Sequence, residues 1–327
     1  MENIGVYIHI PFCAKKCAYC DFYSLAGADF SSYADALSSQ IKSKRKALRG
    51  KNIDTVYIGG GTPSLIAPED MAKILGVLRS CADVSDEAEI SMEANPGTLD
   101  SHKLSVYRAA GINRLSMGLQ SADERELSVL SRLHSAEDFE NSFLLARMEG
   151  FDNINVDVMY ALPDQSAATL KKTLDFVISM DPEHISFYGL KIEKDTPFGK
   201  DPRIESSLPD EDTQVKMYLD SCKQMENSGY FQYEISNFSK KGYECRHNLG
   251  YWRSRDYTGF GPAAHSLCDM RMYSYKKDLA LFLKDPTDEK SLLDEDYTMT
   301  KNEMSVQYVM LALRTSEGVK CSAYEKR

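Results

Sequence analysis

The sequence predicts an α/β protein, a parallel sheet with crossover helices, followed by a smaller, mainly helical C-terminal domain. Three observations predict it. Short apolar runs alternate with longer amphipathic stretches up to about residue 195, the rhythm of repeated strand–helix units. Several runs, such as VYIHI and NVDVMY, are apolar at both alternate positions, which suits strands covered on both faces. Polar or glycine-rich residues close most of the runs, and in such folds functional residues sit at the C-terminal ends of the strands.

Taken in order, the first strand is expected over residues 4–10 and ends at His9-Ile10-Pro11. The second, 55–58, runs into Gly59-Gly60-Gly61. The third, 89–93, ends in Glu93-Ala94-Asn95-Pro96, and the fourth, 114–119, at Gln120. The fifth, 154–159, precedes Leu162-Pro163, and the sixth covers 184–190. Amphipathic periodicity places helices over 30–48, 68–81, 100–110, 123–130, 136–149 and 167–180. Residues 194–209, rich in Asp, Pro and Ser, read as a long loop. A helix over 211–227 and a strand over 230–235 follow, and 236–242 reads as a boundary. The expected domains are therefore 1–236 and 237–327, the second carrying an aromatic patch at Tyr251, Trp252, Tyr257 and Phe260.

The 327 residues carry a formal net charge of −10, which argues against a nucleic-acid partner because phosphate neutralisation needs clustered Lys and Arg. No apolar run approaches the ~20 residues of a membrane span. Nor does the N-terminus resemble a secretory signal. The expected compartment is the reducing cytoplasm, where eight cysteines are metal ligands or plain thiols before they are disulfides.

The strongest chemical signal is PFCAKKCAYC, which sets Cys13, Cys17 and Cys20 in a C-x3-C-x2-C spacing after the first strand. Three thiolates on one short loop can converge on one metal centre. A [4Fe–4S] cluster held by three Cys leaves one iron without a protein ligand, open to a substrate. The alternative is zinc on the three Cys with His9 or Asp21, but no second Cys pair at zinc-like spacing exists. Two further features stand without reference to any family. Gly59-Gly60-Gly61-Thr62 allows close backbone approach to a ligand. Asp157, a carboxylate inside an apolar strand, calls for a partner such as a polar ligand or Arg132.

YIHIPFCAKKCAYCDF closely resembles the cluster loop of radical S-adenosylmethionine (radical SAM) enzymes. In particular it is similar to the branch that holds the oxygen-independent coproporphyrinogen III oxidases and the HemW haem chaperones. That resemblance implies a radical SAM partial (β/α)6 barrel, a [4Fe–4S] cluster on Cys13, Cys17 and Cys20, and bound S-adenosylmethionine. By the same resemblance Gly60, Gly61 and Thr62 meet its methionine part. Tyr7, Tyr19, Glu93, Gln120, Arg132 and Asp157 match further cofactor-contacting positions.

Two departures separate the branches. The oxidases resemble this chain but carry a further Cys where Phe22 stands, and they have an N-terminal extension for which Cys13 lies too near Met1. His247-Asn248-Leu249-Gly250-Tyr251-Trp252 matches the HNxxYW motif of the chaperones. His247 is then the expected haem ligand, Cys245 the competing one, and aromatic faces bury the macrocycle. The implied function is a haem chaperone that passes haem to a membrane-associated haem enzyme, such as a respiratory cytochrome, from a cytoplasmic or membrane-peripheral location. The alternative is a radical SAM oxidase acting on coproporphyrinogen III or a related porphyrin. The chain also stops earlier than family members do, which implies an incomplete C-terminal domain.

Overall fold

The structure is a computed structural model and describes residues 2–26, 30 and 32–324. Six parallel strands form its centre: β1 (Glu2–Ile10), β2 (Lys51–Gly60), β3 (Asp83–Ala94), β4 (Arg114–Gln120), β5 (Ile154–Tyr160) and β6 (His184–Gly189). Each pairs with the next in parallel register. All six expected strands are present, and the first three start earlier than the apolar runs suggest. The helices between them are α1 (Tyr33–Ser43), α2 (Pro68–Cys81), α3 (Ser101–Ala109), α4 (Glu124–Val129), α5 (Ala136–Met148) and α6 (Ala167–Ser179). The stretch expected as one helix over 30–48 breaks at Lys44, and a separate turn, Arg45–Leu48, follows.

Alternation along the strands divides the sheet into two chemistries. Ile4, Val6 and Ile8, then Val56 and Ile58, then Met92, Met117, Val156 and Ile185 form the outer face, fully buried in one core under the helices. The other set of positions is polar: Thr55, Glu89, Ser91, Arg114, Ser116, Asn155 and His184, all buried. The strands are thus covered on both faces, as expected, but the inner cover is a hydrogen-bonded polar network. Register aligns these residues in rungs, with Thr55 beside Glu89, Ser91 beside Arg114, and Asn155 beside His184.

Residues 194–209 are not the expected plain loop. They hold two short helices, Pro197–Lys200 and Pro202–Ser206, each opening with Pro at its first position behind a capping Thr196 or Asp201. Helix α7 (Glu211–Asn227) matches its expected span. Strand β7 (Phe231–Glu234) then turns back into β8 (Asn237–Ser239), which pairs antiparallel with β6. The segment expected as a boundary therefore contains a strand of the main sheet.

On the other edge β9 (Tyr257–Phe260) pairs in parallel with β1. Strands β10 (His265–Cys268), β11 (Arg271–Tyr275) and β12 (Leu293–Thr298) extend it antiparallel. The C-terminal third thus joins the same twelve-stranded sheet. It adds helices α8 (Arg246–Trp252) and α9 (Lys301–Ala312). Among the described residues, no helix is long and apolar enough to cross a membrane.

Candidate functional site

The inner face of the sheet opens, at the C-terminal ends of β2 to β6, into a cavity of about 510 Å³. Cys13, Cys17 and Cys20 line it as free thiols on one wall. The loop that carries them is clamped at several points. The glycine run closes it from below: Gly61 N–H donates to the Ile10 carbonyl at 2.8 Å and Thr62 N–H to the Phe12 carbonyl at 2.6 Å. Gly60 adopts φ +117° against the His9 ring, and a Cβ on Gly61 would stand 2.5 Å from the Phe12 carbonyl oxygen. Glycine is therefore required here by backbone apposition as well as by the open cavity.

Arg132 fixes the loop from the opposite side. Its guanidinium donates to the Gly118 carbonyl at 2.7 Å, to Asn95 Oδ1 at 2.9 Å and to Cys17 Sγ at 3.6 Å. The loop's own backbone is tied down too, with Ala18 N–H on the Leu130 carbonyl and Phe198 N–H on the Ala18 carbonyl. Tyr19 packs toward Phe198, so the unexpected short helices at 197–206 back the cysteine loop.

Glu93 accepts from Gly60 N–H at 3.0 Å and from Tyr57 Oη–H at 3.1 Å. Burial, reinforced by the nearby Asp157, pushes its carboxyl up to about 7. Asp157 is also raised by burial. It rests on the Asn155 amide at 2.7 Å and on Ser186; of the two partners the sequence offers, a polar ligand or Arg132, it forms no ion pair with Arg132. Gln120 ends β4 at φ +71°, where the register slips, and its Oε1 accepts from Tyr188 Oη–H at 2.9 Å. A non-glycine residue held in the left-handed region is strained, and such strain concentrates at ligand sites.

Of the positions singled out by sequence, Cys13, Cys17, Cys20, Tyr19, Gly60, Gly61, Thr62, Glu93, Gln120, Arg132 and Asp157 all line this one cavity. Tyr7 does not. Its hydroxyl bonds His9 Nδ1 at 2.9 Å and its ring faces a second cavity, leaving its stacked neighbour Tyr57 on the first. His247 also lies apart. It is buried beneath the cavity, stacked on Tyr57, with Nδ1 on Thr55 Oγ1 at 3.0 Å and Nε2 on Tyr251 Oη at 2.8 Å. Burial lowers its pKa to about 3, so the ring is neutral and both nitrogens are occupied. The expected rival Cys245 is buried too, its thiol donating to Glu89 at 3.6 Å.

Helix α8 in fact plugs the lower end of the lumen. Glu89 accepts the Arg246 and His247 N–H groups at 2.9 and 3.1 Å, and this seats the helix by its positive end. The helix then presents Asn248 to the cavity floor. Sequence reasoning missed Asn248, Tyr57, Asn95, Ser116, Ser186 and Tyr188. The strand residues among them could have been found by carrying the alternation outward from Glu93, Gln120 and Asp157.

Among the described residues no three His, Cys, Asp or Glu side chains are arranged to hold a metal ion. Both nitrogens of His9 are engaged, by Tyr7 and by the Tyr23 carbonyl, so the zinc arrangement is not assembled with His9. A four-iron cluster makes a different demand. Each thiolate binds a separate iron, so the loop need only present three thiols to a common space. The donor set fits that demand, and the cavity is of the size that small-ligand sites occupy.

The radical SAM superfamily profile matches residues 7–177. The chain is 39% identical over 268 residues to "Heme chaperone HemW" of Escherichia coli (strain K12), covering 81% of this chain and 70% of that protein. It is 38% identical over 265 residues to "Heme chaperone HemW" of Bacillus subtilis (strain 168), covering 80% and 70%. In three dimensions it is similar to the Escherichia coli coproporphyrinogen III oxidase HemN, described as a radical SAM enzyme. The TM-score is 0.88 at 23% identity, over 99% of this chain and 78% of that one, a likeness of fold.

Proposed function

The chain belongs to the HemW family within the radical SAM superfamily, and on that premise we propose that it is a haem chaperone. It binds haem as cargo and delivers it to a haem-dependent membrane enzyme. Cys13, Cys17 and Cys20 hold a [4Fe–4S] cluster, and S-adenosylmethionine occupies the adjoining cavity. When bound, that pair supplies one-electron chemistry shielded by the protein.

The chain's own residues bind and orient. Glu93 and Asp157 offer buried carboxylates to an ammonium or to ribose hydroxyls. Gln120 and Asn95 provide amides that both donate and accept. Arg132 places a positive charge against the thiolate wall and so offsets the cluster's negative charge. The reading rests on one observation above all: the cysteine triad and the strand-end residues Gly60, Glu93, Gln120 and Asp157 meet on a single cavity. Phe22 in place of a fourth cysteine favours cargo binding over porphyrinogen oxidation.

The test is anaerobic reconstitution followed by haem titration. Wild type should hold about four irons per chain, take up haem and leave coproporphyrinogen III unchanged. Replacing Cys13, Cys17 and Cys20 with Ala should abolish iron uptake. Conversion of coproporphyrinogen III to protoporphyrinogen, or failure to bind haem, would overturn the proposal.

A further inference from the structure

A second cavity, of about 530 Å³, lies beside β1 and β9 and is not used by the cysteine loop's thiols. Its walls are aromatic: Tyr7, Tyr23, Tyr251, Trp252 and Tyr257. Tyr251 and Tyr257 meet edge to face at 4.6 Å between centroids, and Tyr23 stacks toward His9. Such walls suit a flat, extended π system. Asp21 and Arg255 also line this cavity, and two further polar side chains set it apart from an ordinary apolar cleft. Lys277 is exposed at its rim and makes no ion pair among the described residues. His265 lines the cavity with its side chain exposed.

The chain has six histidines. His184 and His247 have both ring nitrogens bonded inside the barrel. His9 bonds Tyr7 and the Tyr23 carbonyl. His134 is buried against the Leu119 carbonyl, and His102 pairs with Glu69 on the far surface. His265 alone faces an aromatic cavity with a ring that bonds no group among the described residues. An imidazole with unbonded ring nitrogens is the ordinary axial donor to haem iron.

Resting on the haem-chaperone reading above, we propose that this second cavity is the seat of the haem. His265 supplies the axial ligand to the iron and Lys277 meets a propionate carboxylate. His247 is then a positioning residue. It holds the hydroxyl of Tyr251 from behind, and Gly5 makes room for it, since a Cβ there would lie 3.3 Å from the imidazole Cε1.

The experiment titrates ferric haem into anaerobically reconstituted protein, followed by the Soret difference spectrum and by electron paramagnetic resonance. Wild type should show a histidine-ligated iron. His265→Ala should lose that signature and at least ~10-fold in affinity, and added imidazole should restore the spectrum. His265→Met should give a thioether-ligated spectrum, which shows that the site persists. His247→Phe should weaken binding yet keep the histidine signature. An unchanged spectrum in His265→Ala, or loss of the signature in His247→Phe alone, would overturn the assignment. If wild type takes up no haem at all, it is the chaperone reading that fails. Equal iron content in every variant confirms that the cluster loop is intact.

Discussion

Glu93 sits where three influences compete: burial, the neighbouring Asp157, and donors from Gly60 and Tyr57. Its carboxyl is raised from 4.5 to about 7, so the folded chain binds a proton that the unfolded chain has released across that window. The contribution to stability is therefore full below pH ~4.5 and is lost as pH rises through 7. Thermal unfolding midpoints from pH 5 to 8 should fall more steeply for wild type than for Glu93→Gln, and saturating S-adenosylmethionine should flatten the difference by meeting the carboxylate with an ammonium. Parallel profiles would show that Glu93 is ionised throughout. A second residue-level test is Gly61→Ala. The added methyl meets backbone rather than a flexible side chain, so a cost of about 2 kcal/mol or more should appear in chemical denaturation, with loss of iron. At this scale the sequence was most readable where residue type alone restricts chemistry: three thiols, a glycine run, a carboxylate in an apolar strand. It was least readable at Tyr7 and His247, because which side of a partition a ring faces depends on neighbours far away in the chain.

Helix α8 shows how an element is placed by one carboxylate. Glu89, on β3, receives the first amides of the helix and the Cys245 thiol. Removing it leaves buried donors unpaired, which costs roughly 1–3 kcal/mol. Glu89→Ala should therefore destabilise the protein more than Ser135→Ala, which removes the exposed capping box of α5 at about 1 kcal/mol. Comparing the two denaturation midpoints checks this, and equal losses would mean that α8 is held by packing alone. The six strands and most helices were legible because apolar periodicity and strand-end punctuation agree. The turns at 197–206 were not, since Pro and Asp serve loops and helix starts alike. Strand β8 is only three residues long and leaves no periodic trace.

Across the whole molecule the sheet is continuous, from β7 at one edge to β12 at the other. The parallel pairing of β1 with β9 joins the cysteine loop's strand to the C-terminal third, a contact between residues some 250 positions apart that no local pattern announces. Unfolding should therefore be a single event. The lone Trp252 reports on α8 and the cluster absorbance reports on the first loop, so the two transitions should coincide in one denaturant titration. Separate midpoints would show two independent units divided near residue 237. The two cavities also share a wall, for Asp21 and Phe22 line both. Traffic across that wall need not involve atoms. Whatever occupies one chamber bears on the same two residues that border the other, so filling either can be felt across the partition without anything passing through it.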